Sequence, residues 1–118
     1  MIYLVEAPAY DNAVFMKVGY TGKIGERMRA YACHCPGIRL LETAITYKKT
    51  KHELEKEIHK EIIAKGYEFY TVHISGLSIK TEWFYVPADK VAEFRQLGLS
   101  QFKACKNRVI QKVVQQEG

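Results

Sequence analysis

At 118 residues, 47% hydrophobic and 26% charged, the chain suffices for one compact domain burying about two thirds of its unfolded surface, and excludes a second independent core. A net charge of +5 and a pI near 9.1 point toward a polyanionic partner. No apolar run reaches the length of a membrane span, no charged-then-apolar leader opens the chain, and three cysteines make no disulfide framework, so a soluble, cytoplasmic protein with reduced thiols is expected.

Ile2 to Glu6 and Val14 to Val18 are apolar-rich segments separated by the turn formers Pro8, Asp11 and Asn12, and predict an antiparallel hairpin. Ile24, Met28, Tyr31 and Ala32 recur at helical spacing until Pro36-Gly37 stops them. Arg39 to Tyr47 reads as a third strand, followed by a polar break. Thr50 and Glu53 then form a capping box, and Leu54, Ile58 and Ile62 make the stripe of a second helix that ends at Gly66.

Strands are predicted over Tyr67 to Ile74 and Glu82 to Val86, across a Ser-Gly-containing connection. A helix opened by Pro87-Ala88-Asp89 runs to about Leu97. After Gly98, Ser100 can cap a separate last helix with the stripe Phe102, Cys105, Val109 and Val113. The order β-β-α-β-α-β-β-α-α, with hairpins rather than βαβ units, predicts α+β: a small antiparallel sheet flanked by helices. Residues 1–87 would form the domain and 88–118 a helical extension packed on or next to it.

Charge is unevenly spread. Arg95, Lys103, Lys106, Arg108 and Lys112 are followed by no acidic residue before Glu117, so the C-terminal segment holds most of the positive excess. Lys103, Lys106 and Arg108 are candidates to grip a phosphate backbone; a packing helix with a solvated basic flank is the other reading.

Two motif readings fail on spacing. Gly19, Gly22 and Gly25 fit neither a dinucleotide fingerprint nor a P-loop, and Gly22 and Gly25 read better as easing a strand-to-helix turn. Cys33-His34-Cys35 would need Cys105 or His73 to close a zinc site, and ligands so close together rarely build a tetrahedron.

Tyr3, Lys17-Val18-Gly19, Arg27, Tyr31 and the glutamates of the second helix together resemble the GIY-YIG nuclease superfamily. Ile2-Tyr3-Leu4 stands for the first naming motif and Lys17-Val18-Gly19 for the second, with the first-motif glycine absent and lysine in place of a tyrosine. Lys17-Val18-Gly19-Tyr20-Thr21, Leu54-Glu55-Lys56-Glu57-Ile58-His59 and Glu82-Trp83-Phe84 follow in the order of the phage-borne branch and its meiotically-up-regulated-gene relatives.

The resemblance, which spans residues 2–86, implies a DNA endonuclease with one Mg²⁺ (or Mn²⁺) held by Glu55. Arg27 would fork onto the scissile phosphate, and Tyr3 or Lys17 would orient or deprotonate the water. Tyr31 or His59 would position substrate, with Gly19 and Tyr20 beside them. These residue types suit phosphodiester hydrolysis, because one carboxylate can hold a hydrated Mg²⁺ and a guanidinium offers phosphate a bidentate fork. Glu57 stands behind Glu55 as the alternative ligand, and Glu82 is a supporting residue. A non-catalytic nucleic-acid-binding or protein-interaction module on the same scaffold is the rival reading, supported by the two motif departures.

Overall fold

The computed structural model describes residues 1–45 and 51–117, with side chains described at 1–45 and 52–104. It is α+β, with one five-stranded antiparallel sheet flanked by three helices. The elements are β1 (Ile2–Pro8), β2 (Val14–Tyr20), α1 (Ile24–His34), β3 (Arg39–Ala44), α2 (Lys51–Ala64), β4 (Phe69–Ile74), β5 (Leu77–Val86) and α3 (Val91–Glu117), with a 3₁₀ turn at Ala88–Lys90. Strand order is β3-β1-β2-β5-β4. The capping residue Thr50 and the end of the expected third strand lie outside the described residues.

The β1–β2 hairpin has strict alternation, and its register sets everything else: Tyr3 faces Gly19 and Val5 faces Lys17, while Leu4 faces Val18 and Glu6 faces Met16. Because strand side chains alternate between faces, Ile2, Leu4, Met16 and Val18 form one surface and Tyr3, Lys17 and Gly19 the other. The first set, with Phe84 and Val86 of β5, Ile58 and Ile62 of α2, and Phe94 and Phe102 of α3, makes the core. Each such buried side chain contributes about 1.5–3 kcal/mol relative to exposure.

The C-terminal segment departs from expectation. Instead of two helices broken at Gly98, α3 runs unbroken through Gly98 and Ser100. A glycine inside a helix costs about 1 kcal/mol relative to alanine, but a Cβ there would lie 2.9 Å from Leu4 Cδ2, so its absence lets α3 settle onto β1. Phe94 and Phe102 are fully buried, so α3 shares the core up to Phe102 at least. Arg95 is not spare positive charge either. Its Nε and Nη2 donate to Oε1 of Glu6 at 3.1 and 2.5 Å, and Arg39 Nη1 lies 3.7 Å from the other carboxylate oxygen. Glu6 is buried, so this cluster tolerates loss of neither partner.

At the far side, β4 and β5 turn tightly on Ser75-Gly76, both at positive φ (48° and 78°), as a two-residue hairpin requires. β5 therefore starts at Leu77, earlier than the sequence pattern places it. Two irregularities then coincide. β2 pairs with β5 only through Val14↔Val86, Phe15↔Tyr85 and Met16↔Phe84, after which no further pair joins the two strands. At the same level β5 carries a bulge, Thr81 to Trp83 facing only Tyr70 of β4, bridged by Thr81 Oγ1, which donates to Tyr70 O (2.8 Å) and accepts from Trp83 N (3.2 Å). Bulges re-aim side chains and end pairing; this one accompanies an opening between β2 and β5.

Candidate functional site

The opening is a cleft of about 570 Å³ lined by Tyr3, Lys17, Gly19, Arg27, Glu55 and Glu82 among others. Strand alternation, the first turns of α1 and one face of α2 thus bring four of the five expected catalytic side chains to one concavity. The fifth, Tyr31, stands behind: its hydroxyl is 2.6 Å from that of Tyr3, and the rings meet edge to face at 6.1 Å.

Tyr3 is almost wholly buried. Burial first, then the bond to Tyr31, push its hydroxyl well above the ordinary tyrosine range, with Arg27 acting in the opposite direction. It is held as a phenol, suited to orienting a water or phosphoryl oxygen rather than to removing a proton. Gly19 explains itself here: a Cβ would lie 2.5 Å from the Tyr3 hydroxyl oxygen and 2.7 Å from Cζ, so only glycine lets the opposing tyrosine lie across β2.

Lys17 reaches past two aromatic rings, its Nζ 5.7 Å from the centre of Tyr31 and 5.8 Å from that of Trp83, and ends 3.8 Å from Glu82 Oε2. Glu82 is largely exposed, so the pair contributes little stability, but together with the rings it fixes where the ammonium sits. Arg27 is exposed on the cleft wall formed by α1. The ion pair beside it joins Lys23 to Glu26, at 3.9 Å.

Glu55 and His59 lie four apart on α2, both with about an eighth of the side chain exposed (13% and 14%), with Glu55 Oε1 and His59 Nε2 3.9 Å apart. Burial raises the Glu55 carboxyl above its ordinary value; His59 opposes this, and Glu82 adds to it across the cleft. His59 Nε2 donates to the Val18 carbonyl at 3.0 Å. That carbonyl lies just past the last β2–β5 pair, so His59 supplies the bond the departing strand does not, and it braces α2 against β2. Its ring also sits edge-on to Phe69 and Phe84.

Glu57 is exposed and does not line the cleft, which separates it from Glu55. Phe84 belongs to the core, whereas half-buried Trp83 stands edge-on to Tyr31. Lys103 is exposed on α3 away from the cleft, and the side chains of Lys106 and Arg108 lie outside the described residues.

Two residues of the α2 wall of the cleft were not named as candidates from the sequence. His52 Nε2 lies 3.0 Å from the hydroxyl of Tyr20 with the rings 4.4 Å apart, and Lys56 lines the same wall. The signal was present: His52, Glu55, Lys56 and His59 recur at i, i+3, i+4 and i+7, one polar helix face beside the apolar stripe.

No cluster of three or more His, Cys, Asp or Glu able to hold a metal occurs among the described residues. A closed polydentate site therefore has no place there, whereas a hydrated divalent ion needs only one or two protein carboxylates and room for its waters. Glu55 fits that demand: a carboxylate whose ionised form is disfavoured by burial, facing an open cleft.

A small α+β domain that turns an arginine, a lysine and a half-buried carboxylate toward one cleft fits a nuclease-like or DNA-binding module. The chain belongs to the T5orf172 domain family, which matches residues 1–98; that domain is related to nuclease-like folds. Searches among curated proteins and among solved structures found no match. No helix among the described residues is long and apolar enough to cross a membrane.

Proposed function

We propose that this protein is a metal-dependent endonuclease that hydrolyses phosphodiester bonds in DNA through a one-metal site of the GIY-YIG type. The observation that carries the reading is the meeting of Tyr3, Lys17, Arg27 and Glu55, drawn from four separate elements, at one cleft. Arg27 binds the scissile phosphate through two parallel donors and balances the charge that grows on its oxygens. Lys17, held by two rings and Glu82, adds a second fixed cation on the strand side. Tyr3, kept protonated and steered by Tyr31, orients the attacking water by hydrogen bonding. Glu55 is the residue that would hold Mg²⁺ or Mn²⁺, which when bound supplies Lewis-acid stabilisation of the phosphoryl oxygens. His59 fixes the height of Glu55 by tying α2 to β2.

Relaxation of supercoiled plasmid in Mg²⁺ or Mn²⁺ tests this. Wild type is expected to nick and Glu55→Ala to leave the plasmid supercoiled. Equal nicking by both proteins refutes the site. A wild type that retards DNA in a gel without ever nicking it makes the chain a binding module.

A further inference from the structure

Beyond the cleft, on the same sheet face and beneath the C-terminal end of α1, lies a second cavity of about 220 Å³, lined by Ala7, Phe15, Cys35, Tyr70, Thr81 and Trp83. Its walls are almost wholly apolar. Phe15 stands edge-on to Tyr70 with ring centres 5.0 Å apart. This cavity does not belong to the hydrophobic core, which lies on the opposite face of the sheet, and the proposed hydrolysis does not use it.

We propose that this cavity is a subsite for one unstacked nucleobase of the nucleic-acid strand whose phosphates occupy the cleft. The proposal rests on the nuclease reading for the direction the strand takes. Four observations support it. The volume is below the roughly 300–1,000 Å³ of pockets for drug-sized ligands, which leaves room for a single ring system and none for a base pair. Aromatic walls suit the flat face of any base, and stacking on such rings is the sequence-tolerant way in which proteins hold single strands. Among the described residues no acidic side chain lines the cavity, while Lys17, a cleft residue, lies against the ring of Trp83 on its rim. A phosphate at Lys17 and a base against Trp83 are therefore one side chain apart, the relation of a base to its own backbone. The bulge joins the two sites covalently, since Thr81 and Trp83 line the cavity and Glu82 between them lines the cleft. The substrate class that follows is DNA with an unpaired nucleotide beside the cut, such as a flap, a bubble or a free single strand.

Trp83 is the only tryptophan, so its fluorescence reports on this cavity and on its rim at Lys17, and the abasic strand separates the two. The 118-residue chain carrying Glu55→Gln is titrated with a short single-stranded oligothymidylate, with the same strand carrying abasic positions, and with a duplex of equal length, while anisotropy of a labelled strand measures binding independently. The proposal expects the normal strand to change Trp83 emission and to bind about tenfold more tightly than the abasic strand, with the duplex leaving the emission unchanged. Phe15→Leu, which keeps an apolar side chain in the sheet, is expected to remove most of that tenfold preference. Equal emission changes with normal and abasic strands overturn the proposal, because both carry the same phosphates; so does strand binding that leaves Trp83 untouched. Failure here would leave plasmid nicking intact, whereas failure of the nuclease reading would show as a wild type that never nicks or a Glu55→Ala protein that nicks equally, with the Trp83 response unchanged, so the two are separable.

Discussion

Helices α1 and α2 each supply one wall of the cleft, yet they are held in opposite ways. α2 drives Ile58 and Ile62 into the core and adds the His59 bond to Val18. α1 buries no residue fully; it rests on the sheet through half-buried side chains and through Tyr31, whose hydroxyl meets Tyr3 and whose ring meets Trp83 and Lys17. The carboxylate is thus mounted on the rigid wall and the arginine on the loosely attached one. On the proposed function, a metal ligand would keep its place before substrate arrives and a phosphate clamp would settle onto the substrate once bound, so this division would give each wall the stiffness its task requires.

The strongest way to break the comparison is to remove the two charges separately. Arg27→Ala and Glu55→Gln are each expected to lower nicking by about a hundred- to a thousandfold. They should differ in their response to Mg²⁺: added ion should raise the melting temperature of wild type and of Arg27→Ala, and leave Glu55→Gln unmoved. An equal Mg²⁺ response in Glu55→Gln would place the ion elsewhere.

Anchoring itself is tested next. Ile62→Ala empties a fully buried position on α2 and should cost about 2–5 kcal/mol in denaturant unfolding. Met28→Ala, at a half-buried position on α1, should cost less than about 1 kcal/mol. Native-state hydrogen exchange should show the same order, with α1 amides exchanging through local opening well before those of α2. Comparable protection of the two helices would remove the distinction between the walls.

How far all this was legible follows from which contacts are local. Lys17, Arg27 and Glu55 were named through the resemblance to the GIY-YIG superfamily, whereas the β1–β2 hairpin and the α2 stripe could be read because alternation and helical spacing are properties of short windows. The function of Gly19 could not, because the Tyr3 ring that forbids a Cβ lies on the neighbouring strand. The continuous α3 was missed because the usual meaning of a glycine after an apolar run is a stop, and only the approach to Leu4 reverses it. Arg95 counted as free positive charge until the fold set it against Glu6. The parting of β2 from β5, which opens the cleft, depends on a bulge and on the pairing of strands far apart in the chain, and no local pattern encodes either.

A smaller effect concerns how α1 is held to the sheet. Tyr31→Phe removes one hydroxyl and leaves the ring that packs on Trp83, so its cost should be about 0.5–1.5 kcal/mol, with nicking reduced by no more than about tenfold. Loss of that bond also removes one of the influences that raise the Tyr3 hydroxyl. Activity in this variant should fall without any change in the Mg²⁺ requirement, because Glu55 is untouched.

The smallest expected effect isolates what the rigid wall sacrifices for its carboxylate. Burial raises the Glu55 carboxyl above its ordinary 4.5, so the group favours the folded state fully below that ordinary value, and the advantage is lost as pH rises through the raised folded value. At neutral pH without divalent ions, the ionised carboxylate is therefore a burden that the neutral amide of Glu55→Gln lacks. That variant should melt slightly above wild type, by a few degrees at most, while being inactive. The gap should close as pH falls toward the ordinary carboxylate range, where wild type becomes protonated. It should also close at neutral pH when Mg²⁺ is added, because the cation stabilises the charged form that burial penalises. A gap that persists at low pH would mean that amide packing, rather than charge, separates the two proteins, and the cleft would then hold no carboxylate poised for a metal.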